Sequence, residues 1–447
     1  MGQKIQSVLY SQQRFSSGEK TLFSKTNKEN YNILSCNQKF KNKNYKQAAN
    51  CFQELVKANP KEPEPLIYYN NSLARDRGNF LTIAVVVPTD NNNMERAKKI
   101  LRGVAQAQNE YNKKTDFSQN NKSRLLEIIM ANDNNKPKIS KKVAQEIVQK
   151  TSILGVIGHN SSDATDATLE VYEKANLPVI SSTSTSTELK SDTFFRTVID
   201  NSVMTQKLAE YIQSQSIEKI VIFYNKESVF SGNLKDYFDS HLKTLKSSIK
   251  VTSINLNQPP FDIKQKVQGA VDNQVEVGML FSNLEKIDLA VQIAQANDQL
   301  PESQRLKLFA GDPLYDCDTL NKDKQAFKGL ILAVPWHKEL PAAQTFVTEP
   351  RDLWGEEEEI DWRTATSYDA AKAFIYALSN SGDNPSRTTV LEKLKEVNLP
   401  SNKTSGQNLR FNPDREIIGE AILVEVVESK GNPDCPNSNL DFRLVEE

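Results

Sequence analysis

Residues 153–180 read ILGVIGHNSSDATDATLEVYEKANLPVI. Ile153–Ile157 is a short continuous apolar run, Leu169 and Tyr172 sit on one side of the helical stretch that follows, and Pro178–Ile180 is apolar again. A strand, a loop, a helix and a second strand in this order predict a βαβ unit, and hence a parallel sheet with right-handed crossovers. The pattern extends upstream. Leu81–Pro88 (LTIAVVVP) is apolar throughout, as expected of a strand covered on both faces. Ala97, Ile100, Leu101, Val104, Gln108 and Tyr111 fall on one side of the next helix, Leu125–Ala131 forms a second strand, and Val143, Ile147 and Val148 mark a second helix.

A second series follows Asp200, with strands at Lys219–Tyr224, Val251–Leu256, Val275–Phe281, Leu306–Ala310 and Leu330–Val334. Helical segments near 341–353, 363–380 and 388–397 come next. A closing hairpin is expected to pair Asn408–Phe411 with Ala421–Val427. The chain has 447 residues, and two α/β series exceed one comfortable core, so two lobes are expected.

The beginning of the chain reads differently. Residues 1–24 are polar and aperiodic and are expected to form a loose leader. Their opening, MGQKIQSVLYSQQRFSSGEK, has no apolar core after its charges, so it does not read as a signal peptide, and Gln6 breaks the myristoylation pattern that Gly2 would begin. An export signal or anchor would then belong to a segment preceding this one. Residues 25–80 look helical and separate. FKNKNYKQAANCFQELVKANPKEPEPLIYYNNSLA, residues 40–74, places Tyr45, Ala48, Phe52, Leu55 and Pro60 at helical spacing, and resembles one tetratricopeptide repeat. A single repeat cannot bury its own face, so it is expected to pack on a partner or on the rest of the chain.

Composition narrows the function. Lys+Arg 56 against Asp+Glu 57 gives a formal net charge of -1, which offers nucleic acid or anionic lipid no basic field. No run approaches the roughly 20 apolar residues that span a bilayer. Cys36, Cys51, Cys317 and Cys435 form no CxxC, which argues against zinc. Cys36 and Cys51 read either as a disulfide across a helical hairpin or as two packed thiols. His159, His241 and His337 are the only histidines, too few for a His-based metal or acid–base centre. GxSxG, the P-loop pattern and GxGxxG after a strand are all missing. These readings predict no enzyme and no cofactor. The acidic run Glu356–Glu359 reads as a solvated loop, and Asn91–Asn93 as a loop opening the first crossover helix.

What remains is a hydroxyl-rich pair of loops. GHNSSDAT (158–165) follows the strand at Ile157, and SSTSTSTEL (181–189) follows Ile180. Ligands of open parallel sheets bind beyond the carboxyl ends of strands, near helix N-termini. Backbone N–H groups and small hydroxyls there can hold a carboxylate without arginine. Ser and Thr also serve simply as caps and turn formers, but two such loops at neighbouring strand ends favour binding.

VIGHNSSDATDATLEVYEKANLPVISSTSTSTEL with FFRTVIDN, IVIFYNKESVFSGNLKDYF, and TATSYDAAKAFIYAL near residue 370 resemble the type 1 periplasmic binding proteins of the leucine/isoleucine/valine branch, over about residues 81–430. The resemblance implies two Rossmann-like lobes forming a clamshell that shuts on a ligand. They interleave in sequence as 81–199 with 335–404 and 200–334 with 405–447, with crossings near Asp200, Val334 and Ser405. It implies an extracytoplasmic protein that captures an amino acid between the lobes for an ABC permease, or a sensor of the same fold that signals through a protein partner. Carried over residue by residue, it gives Ser162 as the carboxylate contact with Asn160 and Ser161 in the same loop, and Thr183 and Thr185 for carboxylate and ammonium. It also gives Phe230 as the ring that closes from the second lobe, Phe281 and Asn283 at the next strand end, and Asp312 for the ammonium. The family commonly has Tyr where Phe230 stands and Glu at the acidic position, so one hydroxyl contact is lost and the Asp312 alignment is loose. Phe230 and Phe281 also read as core aromatics, Asp312 as a turn residue, and His159 as a packing or hydrogen-bonding residue.

Overall fold

The computed structural model describes residues 14–23, 30–90, 93–115, 124–258, 262–323, 325–348, 351–355, 360–429, 435 and 438–445. Most of the leader, Asn91, Asn92 and the run Glu356–Glu359 lie outside the described residues. The chain divides into two compact units. One comprises Met1–Ser184, Leu189–Val198 and Pro341–Ile418; the other comprises Thr185–Glu188, Ile199–Leu340 and Gly419–Glu447.

The first unit is built on a sheet of β1 (Phe15–Ser16), β2 (Phe80–Val87), β3 (Leu125–Asn132), β4 (Ile153–Ile157), β5 (Val179–Ser181) and β6 (Phe194–Arg196). Its order is β1-β3-β2-β4-β5-β6. All neighbours run parallel except β1, which lies antiparallel to the end of β3 with Phe15 opposite Ala131. The core on one face joins Ala84, Val86, Val143, Ile147, Val156, Leu169 and Tyr172, the apolar positions of the repeated strand–helix pattern. On another side, the helix Met94–Lys114 crosses the helix Trp362–Ser379 at close range. A Cβ at Gly103 would lie 2.1 Å from the Thr364 carbonyl oxygen, so only glycine permits this crossing.

One expectation for the N-terminal region is corrected, and one of two open alternatives is found. Part of the supposed loose leader is ordered as β1, with Phe15 and Phe23 buried. The helical segment packs on the rest of the chain, one of the two alternatives open for it. Its helices are Asn30–Lys41, Tyr45–Ala58 and Pro63–Arg77, and the third is built into the sheet. The Asn71 side chain pairs with the main chain of Ile128 in β3 at 2.7 and 2.9 Å. Asn112 does the same for Leu126 at 2.8 and 3.1 Å. These amides satisfy the β3 edge that the two residues of β1 leave open, and an edge strand with unpaired N–H and C=O groups is a liability. The signal is hard to read, because buried asparagines in a polar helix look like surface residues.

The second unit carries β7 (Lys219–Tyr224), β8 (Lys250–Asn255), β9 (Val277–Phe281), β10 (Lys307–Ala310), β11 (Ile331–Val334), β14 (Ile422–Glu428) and β15 (Leu440–Leu444), in the order β15-β14-β11-β10-β9-β7-β8. The first five run parallel where they adjoin, and β14 and β15 add antiparallel edges. The expected terminal hairpin does not form. β13 (Leu409–Arg410) pairs with β12 (Asn398–Leu399), while β14 pairs with β11 and β15. Both Cys36–Cys51 and Cys317–Cys435 are disulfides. The first was one of two open readings. The second joins residues 118 apart in sequence, a pairing that spacing alone cannot reveal.

Candidate functional site

The first unit brings the two hydroxyl-rich loops together at the adjoining ends of β4 and β5. At Gly158 the backbone has φ +139 and passes so close to β2 that a Cβ would lie 2.8 Å from the Val86 carbonyl oxygen, so glycine is required for the loop to leave the strand here. The next residue, His159, is buried. Its Nδ1 lies 2.6 Å from Asp133 Oδ2 and its Nε2 lies 2.9 Å from Tyr172 Oη. Burial alone would raise the Asp133 carboxyl. The contacts with His159, the Asn135 N–H and the Ser140 hydroxyl outweigh it and hold Asp133 below the usual carboxylate range. Burial, together with the Asp133 charge, pushes the Tyr172 phenol well up. His159 is therefore a hydrogen-bonding anchor, as one reading of the sequence had it.

The His159 carbonyl accepts hydrogen bonds from the hydroxyls of Ser181 and Ser184 at 3.2 Å each, and the Asn160 carbonyl accepts one from Thr183 at 2.9 Å. Thr165 Oγ1 and Ser184 Oγ are 2.8 Å apart, and Ser182 Oγ reaches Ser367 Oγ at 2.8 Å. Most of the loop hydroxyls are thus spent on holding the two loops to each other and to the helix Trp362–Ser379. Ser161 caps the helix Ser162–Lys174 by accepting from the Ala164 N–H. Thr183 has already committed its hydroxyl proton, so it can only accept from a solute.

Asn160 differs. It is only 4 % exposed, yet its Nδ2 has no hydrogen-bond partner among the described residues. Ser162 is buried as the first residue of that helix, where the helix dipole favours a negative group. An amide donor beside a helix start suits a carboxylate.

In the second unit, Phe281 ends β9 and is buried. Its ring closes the core edge-to-face on Phe238, with centroids 5.7 Å apart. Phe230 is buried in the first turn of the helix Val229–Thr244, and its carbonyl accepts from Asn201 Nδ2 at 3.2 Å. Asn283 follows β9 and accepts from Asn225 Nδ2 at 3.2 Å. Asp312, buried, follows β10 at the start of a single 3-10 turn. Thr185 Oγ1 is buried without a partner among the described residues, while its carbonyl accepts from the Asn201 N–H at 2.7 Å.

The sequence model of the periplasmic binding protein family matches residues 81–432. This chain belongs to that family. No curated protein matches it, but solved structures do. The leucine-binding protein LivK of Thermotoga maritima superposes with a TM-score of 0.68 at 16% identity, covering 81% of this chain and 97% of that one. LivJ of Streptococcus pneumoniae, solved with isoleucine, gives a TM-score of 0.64 at 14% identity, with 82% and 100% covered. A solute-binding protein of R. palustris, solved with 4-hydroxybenzoate, gives 0.69 at 14% identity, with 82% and 96% covered. As a family, periplasmic binding proteins hold small solutes outside the cytoplasm and are not enzymes. The two disulfides fit such an oxidising compartment. Among the described residues, no helix of this binding protein is long and apolar enough to cross a membrane, and no His/Cys/Asp/Glu group could hold a metal ion.

Asp133, Asn201 and Ser282 were missed as contributors to the strand-end loops of the binding protein. Only the first gave a signal, as an acidic residue directly after a strand. Ser282 is buried at the end of β9.

Proposed function

We propose that the protein captures an amino acid, of the branched-chain type or a related one, for an ABC transporter. The first unit, as one lobe, offers Ser162 and the Asn160 amide to the carboxylate, with Ser161 and Thr183 shaping the loops. The second offers Asp312 to the ammonium, and Thr185, Asn283 and Phe230 to the body of the solute. The observation that carries this reading is the buried, unpartnered Nδ2 of Asn160 beside the helix start at Ser162. Leaving a buried donor unpaired costs about 1–3 kcal/mol, and a solute carboxylate removes that cost. The neighbours' ligands, leucine, isoleucine and hydroxybenzoate, share a carboxylate.

The alternative, a sensor signalling through a partner, drew on an appended helical repeat, and the packing of Pro63–Arg77 against β3 takes that support away. Thermal-shift screening against the amino acids and 4-hydroxybenzoate tests the proposal. A ligand at 100 times its dissociation constant stabilises the protein by about 2.7 kcal/mol. If no amino acid shifts the transition, the proposal fails.

A further inference from the structure

Among the buried polar atoms of the second unit that have no hydrogen-bond partner among the described residues are Thr185 Oγ1, Asn201 Oδ1 and Ser282 Oγ. Thr185 and Asn201 are 0% exposed and Ser282 is 1%. They belong to one patch. The Asn201 N–H donates to the Thr185 carbonyl at 2.7 Å, and Asn201 Nδ2 donates to the Phe230 carbonyl at 3.2 Å. Ser231, the next residue, donates its hydroxyl to the carbonyl of Phe281, which precedes Ser282. The start of the helix Val229–Thr244 thus ties all three orphans to the end of β9.

The neighbouring strand ends are polar as well. Tyr224 of β7 is in register with Phe281, and Ala310 of β10 with Leu280. Extending both registers past the strands sets Asn225, Ser282 and Asp312 level across three adjacent strands. Asn257 Nδ2 donates to Asn225 Oδ1 at 2.7 Å, and Asn225 Nδ2 donates to Asn283 Oδ1 at 3.2 Å. This relay uses the Asn283 oxygen and turns its NH2 into the group with capacity to donate.

We propose that the solute carries a hydrogen-bonding group, a hydroxyl or a carboxamide, in addition to its α-carboxylate and α-ammonium, and that Ser282, Thr185 and Asn201 recognise it. This rests on the amino-acid reading above and narrows it. The patch offers two hydroxyls, which both donate and accept, and one amide oxygen. A hydroxyl or carboxamide satisfies such a set. An aliphatic side chain would seal the same atoms from water and leave them unpaired, which is how a polar site rejects an apolar isostere.

Two nearly isosteric pairs test this by titration calorimetry on the full chain: L-threonine against L-valine, and L-asparagine against L-leucine. The expected result is that the polar member of at least one pair binds tenfold or more tighter than its partner, and that Ser282→Ala or Thr185→Val, each confirmed as folded by circular dichroism, shrinks that ratio. Valine and leucine binding as tightly as threonine and asparagine overturns the inference and leaves the amino-acid reading standing. If none of the four binds while another amino acid without a side-chain hydroxyl or carboxamide does, the inference falls and the amino-acid reading stands; if no amino acid binds at all, both fall. A ratio unchanged in both folded variants overturns the assignment to this patch.

Discussion

The side chain of Asn71 acts as a strand for the main chain of Ile128. Its Nδ2 donates to the Ile128 carbonyl at 2.7 Å, and its Oδ1 accepts from the Ile128 N–H at 2.9 Å. Gln108 Nε2 in turn donates to the same Asn71 Oδ1 at 2.9 Å. The helix Pro63–Arg77 therefore completes the edge of the first sheet at Ile128.

Asn71→Ala leaves both Ile128 groups buried and unpaired, so denaturant unfolding should show a loss of about 2–4 kcal/mol. Removing residues 1–78 altogether should give an insoluble or non-cooperative chain. A truncated protein that unfolds cooperatively at the native midpoint would show that the segment is an appendage after all.

Gly103→Ala should destabilise rather than stabilise, although alanine is the better helix former. A Cβ there meets Thr364 O at 2.1 Å and Tyr368 N at 2.6 Å, both of them backbone, and overpacking of this kind costs about 1–3 kcal/mol. A raised melting temperature would contradict the close crossing.

Asp369 sets a pH dependence. Burial pushes its carboxyl up to about 7, although Ser405 donates to it through both N–H and hydroxyl at 2.8 and 2.6 Å. The folded protein thus holds a proton that the unfolded chain, with an ordinary Asp value near 3.9, releases. Its contribution to stability is complete below about pH 4 and is lost as pH rises toward about 7. Asp369→Asn should flatten the melting temperature between pH 4.5 and 7.5. An unchanged slope in the variant would place the pH dependence elsewhere.

The Cys317–Cys435 disulfide should matter for the second unit. Replacing both cysteines by serine should cost about 2–5 kcal/mol, seen as a lower midpoint that matches the reduced double-cysteine protein. Equal midpoints for oxidised wild type and the variant would count against the pairing.

The parallel core was legible because continuous apolar runs at β2, β4, β7 and β9 announce strands buried on both faces. β6 was missed as a strand because Phe194–Arg196 is too short to show a period. β15 was missed because Leu440–Leu444 alternates with charges, and its partner β14 was given to Asn408–Phe411 instead. The hydroxyl loops were visible as composition. Which hydroxyls are spent was not, because Ser182 meets Ser367, 185 residues away in sequence. Phe281 reads both as a ligand aromatic and as a core aromatic, because a strand end and a core position coincide there.

Calorimetric titration of the folded chain and its Asn160→Ala and Ser162→Ala variants with the amino acid that gives the largest thermal shift tests the carboxylate site most directly. The account predicts one-to-one binding to the unaltered chain and an affinity about tenfold lower in each variant, the loss expected for about 1.4 kcal/mol of charge-assisted hydrogen bonding. Binding of undiminished affinity in both variants would contradict it.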